Sequence, residues 1–68
     1  MPVAILILPY RGGRLRVECY LLEWSVVLKG VRHLIFVQHL GDTRESREAR
    51  IVSWADAHPE LFQGWGNS

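Results

Sequence analysis

The residues of this chain whose types could do chemistry are three histidines, one cysteine and seven carboxylates. Their spacing offers little. His33 and His39 fall on one face of a strand-like stretch, six residues and so about 20 Å apart at strand rise, too far to share an ion. Cys19 has no partner at ligand spacing, and neither C-x-x-C nor H-x-x-x-H occurs. No intrinsic metal or cofactor site is expected. Nucleophilic catalysis needs a base beside the nucleophile. Cys19 could meet His33 or His39 only across strands, and it stands at an apolar position where a thiolate is disfavoured. Gly12-Gly13 reads as a turn, with nothing like a phosphate-binding loop after it. The chain is read as non-enzymatic, with no small-molecule substrate.

The remaining chemistry is recognition. Of eight basic residues only Lys29 is lysine, and arginine suits bidentate contacts to carboxylates and phosphates. Arg47, Arg50 and Trp54 fall together at one edge of a helical stretch. There Arg50 and Trp54 stand i, i+4, so a guanidinium could lie on the indole. With Trp65 they form the expected protein interface, since Arg and Trp dominate binding hot spots. The competing reading makes Trp54 a core residue covered by arginine stems. A second basic set, Arg11, Arg14, Arg16, Tyr20, Lys29 and Arg32, would contact nucleic acid from the face of a sheet. Glu18 and Glu23 interrupt that set. A net charge of +1 and a sequence pI of about 8.0 fall short of a strongly electrostatic nucleic-acid binder.

The element that must position the helix-edge residues is Asp42–Pro59. Asp42 can cap its N-terminus, with Glu45 at capping-box spacing, and Pro59 ends it at His58. At about 100° per residue, Ile51, Val52 and Ala55 share one stripe. Ahead of it, Val3–Leu8 is a short apolar run that reads as a buried strand. Pro9–Gly13 is turn chemistry. Arg14–Leu22 alternates, with Leu15, Val17, Cys19 and Leu21 on one side and Arg14, Arg16, Glu18 and Tyr20 on the other. Glu23–Gly30 has no periodicity. It either continues that strand, with a bulge near Trp24-Ser25, or belongs to a helix over Glu18–Lys29 capped by Gly30. The strand is preferred because Val26 and Val27 are β-branched. Val31–His39 alternates again. Leu61, Phe62 and Trp65 read as anchors for a tail that frays beyond them.

The expected fold is therefore α+β: a three-stranded antiparallel sheet in β-β-β-α order, packed on one C-terminal helix, with a short tail turn and a single domain over residues 1–68. This order resembles that of the integrase arm-binding domains, which implies a sheet laid in a DNA groove. A chain of 68 residues buries only about 60% of its unfolded surface, and it carries more apolar strand than one helix can cover. A homodimer, or an inhibitor or regulator that binds a protein partner, follows as the leading expectation, with nucleic-acid binding as the alternative. The apolar start lacks a basic n-region, no stretch approaches about 20 apolar residues, and one cysteine allows no internal disulfide. Together these read as a cytoplasmic protein without a membrane span.

Overall fold

The computed structural model describes residues 1–65 and is an antiparallel sheet backed by one helix. The strands are β1 (Ala4–Tyr10), β2 (Gly13–Tyr20), β3 (Glu23–Leu28) and β4 (Val31–Val37), in spatial order β1-β2-β3-β4. Helix α1 (Arg44–Asp56) and a 3-10 turn (Pro59–Phe62) follow. The sheet thus has four strands, not three. Glu23–Leu28 is neither helix nor an extension of β2: the chain reverses at Leu21-Leu22, pairing Tyr20 with Glu23 and Cys19 with Trp24. The register irregularity expected near Trp24-Ser25 is present, in the pairing of β3 with β4.

All three hairpins have two-residue loops, and each needs a positive φ. Gly12 and Gly30 supply it at φ 82° and 79°, preceded by Arg11 and Lys29 at 47° and 50°, the pattern of a turn whose twist matches the strands. The middle hairpin uses Leu21 at φ 58° instead. An L-residue is strained there by about 1–2 kcal/mol. Leu21 is 82% exposed, and the Cys19 thiol binds its backbone carbonyl at 3.0 Å, so its side chain contributes little. We expect Leu21→Gly to stabilise the domain by about 0.5–1 kcal/mol, after the loss to unfolded-chain entropy. Chemical denaturation measures it; a lower midpoint would show that the leucine side chain packs usefully.

The helix begins two residues later than Asp42. Thr43 is the N-cap: its Oγ1 accepts from Ser46 N–H at 3.1 Å, and Ser46 Oγ accepts from Thr43 N–H at 3.0 Å. Asp42 accepts instead from His39 N–H at 2.8 Å and pairs with Arg50 at 3.1 Å. These contacts hold its carboxyl below the usual range, the His39 bond contributing most. At the far end Ala57 is the C-cap, and His58 Nδ1–H donates to Trp54 O at 2.8 Å.

One layer of core lies between helix and sheet. Leu15, Val17, Val26 and Ile51 are its largest wholly buried side chains, joined by Leu8, Tyr10, Cys19, Trp24, Leu28, Ala55 and Phe62. These residues alternate along each strand, and among the described residues no helix or strand lies over the opposite sheet face.

Candidate functional site

The uncovered face is built by the alternation of β2. Arg14, Arg16, Glu18 and Tyr20 point away from the core; Ser25 and Val27 of β3 stand opposite Glu18 and Arg16, and Leu34 and Arg32 of β4 stand opposite those. The polar members bind one another. Arg16 Nε donates to Glu18 Oε2 at 2.9 Å, and the Tyr20 hydroxyl donates to Glu18 Oε1 at 3.1 Å. The Arg32 guanidinium lies over the Tyr20 ring at 4.4 Å. The bond from Arg16 is the main reason the Glu18 carboxyl is held low, with the Tyr20 bond and the Arg32 charge adding to it. Apolar side chains flank this strip: Ile5 and Ile7 on β1, Leu34 and Val37 on β4.

Four of the six residues expected to contact nucleic acid, Arg14, Arg16, Tyr20 and Arg32, therefore share one face. Lys29 lies at the β3–β4 turn, where it lines a recess of about 180 Å³ with Arg14, Arg16, Leu61 and Trp65. Among the described residues no carboxylate lines it. Arg11 stands apart at the first hairpin, 5.9 Å over the Tyr10 ring.

The residues expected at the helix edge are distributed differently. Arg50 does not stack on Trp54; it lies 5.1 Å over Phe36 and is tied to Asp42. Arg47 lies 5.2 Å over Trp24 and donates to Asp42 O at 3.4 Å. Trp54 is half-buried between His58 and His33, with ring centroids 4.7 and 5.7 Å away, and it meets Phe62 edge-on. It forms one wall of a shallow groove with Ile35, Phe36 and Arg50. Trp65 does not belong to that groove. Its Nε1 donates to Tyr10 O at 2.6 Å, and its ring closes over Gly13, where an added Cβ would sit 2.9 Å from it. It is the tail anchor that its sequence position suggested.

Cys19 is buried, and burial raises its thiol pKa. Among the described residues no three His, Cys, Asp or Glu side chains converge, and no helix is long and apolar enough to cross a membrane. One contact had no sequence signal at all: the Tyr10 hydroxyl donates to Asp56 Oδ1 at 2.6 Å, joining β1 to the end of α1 and raising the phenol pKa. No protein-family model, curated protein or solved structure matches this chain.

Proposed function

We propose that this protein is a non-enzymatic interaction module that binds protein, first of all a second copy of itself, through the uncovered side of its sheet. One observation carries the reading. Ile5, Ile7, Leu34 and Val37 are each 44–57% exposed and lie on the side that the helix leaves bare. They form two exposed apolar margins, one on each edge strand, and such exposed apolar area favours association. Between them the Arg16–Glu18–Tyr20–Arg32 network offers residue types that carry binding energy, already ordered by mutual contact.

A second reading has its own observation. The recess lined by Arg14, Arg16 and Lys29, of which Arg16 is also paired with Glu18, suits a phosphate, as in a nucleic-acid backbone.

Size-exclusion chromatography with light scattering, at low and moderate salt, separates them. The first reading expects a nucleic-acid-free dimer that Ile5→Ser with Ile7→Ser converts to a folded monomer. A wild-type protein that stays monomeric at high micromolar concentration overturns it. A monomer carrying absorbance at 260 nm that salt removes puts the second reading in its place.

A further inference from the structure

We propose that β1 is the site of self-association: it pairs antiparallel with β1 of a second copy, in the register centred on Leu6, giving one continuous eight-stranded sheet. The proposal rests on the reading that this protein associates with itself, and it places the contact at the free β1 edge of the sheet, beside Ile5 and Ile7, rather than across the whole bare face.

The two sheet edges are not alike. Among the described residues β1 and β4 each pair on one side only. On β4, alternation from the Leu28–Val31 closing pair turns the backbone of Arg32 and Leu34 outward. That edge carries a charge and an irregular register, both of which discourage strand addition. On β1, alternation from the Tyr10–Gly13 closing pair turns the backbone of Ile5, Ile7 and Pro9 outward. No charged side chain occurs from Pro2 to Tyr10, so a second copy meets no like-charge repulsion. An open, apolar edge of this kind is a template for another strand.

The sequence selects itself as that strand. About Leu6 the run is symmetric in what it offers: Ile5 faces the partner's Ile7, and Ile7 faces the partner's Ile5. Each such pair exchanges two backbone hydrogen bonds. This register satisfies both the N–H and the C=O of both isoleucines. Centring on Ile7 would set Ile5 against Pro9, which has no N–H to give. Centring on Ile5 would set Ile7 against Val3, whose N–H already binds Cys19 O at 2.7 Å. The same two features bound the pairing at each end. An axis perpendicular to the sheet places both helices on one side. The backbone of α1 comes closest to β4, the strand farthest from β1, and α1 reaches β1 at its C-terminal end through the Tyr10–Asp56 bond.

Crosslinking tests the register. Leu6 lies on the helix side of β1, packed at the margin of the core. At the axis two Leu6 Cα atoms would stand about 4.5 Å apart, the spacing of a non-hydrogen-bonded pair and within disulfide range. Leu6→Cys is expected to form a covalent dimer under mild oxidation, whereas Ile7→Cys and the wild type, with its buried Cys19, do not. A charge exchange guards against a misfolded cysteine variant. Ile5→Lys with Ile7→Lys is expected to weaken the dimer by at least about 100-fold. Ile5→Lys with Ile7→Glu restores it, because each new carboxylate faces a new ammonium across the seam, while within the protomer the new lysine stands opposite Glu18 and the new glutamate opposite Arg16. A dimer that resists the double lysine variant, or that crosslinks through Ile7→Cys and not Leu6→Cys, overturns this proposal while leaving the self-association reading intact. A wild-type monomer overturns both.

Discussion

Replacing Trp24 by alanine is expected to cost about 3–5 kcal/mol, the range for truncating a large buried aromatic. The indole is 7% exposed and stands in the sheet between Cys19 of β2 and Phe36 of β4, stacking on the latter at 6.3 Å and 16°. Its Nε1 donates to Gln38 Oε1 at 2.9 Å, and the Arg47 guanidinium covers its ring from the helix. Truncation thus opens a cavity where three strands and the helix meet. A domain of 68 residues has about 3–10 kcal/mol to lose in all, so Trp24→Ala should be largely unfolded at room temperature. Trp24→Phe keeps the ring packing and loses the Gln38 bond, at about 1 kcal/mol plus a small cavity. Urea denaturation followed by far-UV circular dichroism reads both. An alanine variant with the wild-type midpoint would mean that this corner of the core is not packed as described.

Trp24 lies in the stretch that sequence alone could not order, and the reason is physical. Hairpins are legible where a residue that tolerates positive φ marks the turn, as Gly12 and Gly30 do. Leu21-Leu22 has no such mark, so β2 and β3 read as one strand and the sheet lost a member. The antiparallel alternation survived, because period-two burial is local to each strand: Leu15, Val17 and Cys19 are buried and Arg14 and Arg16 exposed, as their order implies. The helix stripe of Ile51 and Ala55 was legible for the same reason.

What could not be read were choices among equivalent partners. Asp42 and Thr43 are both good caps, and only the folded chain shows that His39 and Arg50 occupy the aspartate. Arg50 could reach Trp54 or Phe36, and in the folded chain it lies over Phe36. The open face was half legible. Alternation placed Arg14, Arg16 and Tyr20 on it, but the ring of Tyr20 beneath Arg32 depends on strand neighbours that the missing turn concealed.

Ile51→Ala is expected to destabilise the domain by about 2–5 kcal/mol, and Ile51→Val by about 0.5–1.5 kcal/mol. Ile51 is the one large side chain of α1 with no exposure, buried with Leu15, Val17 and Val26 in a single layer. A one-layer core has few ways to close over a missing side chain, because one wall is a hydrogen-bonded sheet and the other a single helix. The helix is held mainly by this packing: its apolar stripe is narrow, and a segment of 13 residues is marginal alone in water. The Tyr10–Asp56 bond secures only its end. Ile51→Ala should therefore release α1 and expose the inner sheet face as well as the outer, so aggregation should accompany unfolding. Ile51→Val should leave the oligomeric state of the wild type unchanged, because β1 is untouched. Denaturation midpoints and light scattering on the two variants check this together. Loss of the oligomer in folded Ile51→Val would tie self-association to the helix, and wild-type stability in Ile51→Ala would mean that the sheet stands without it.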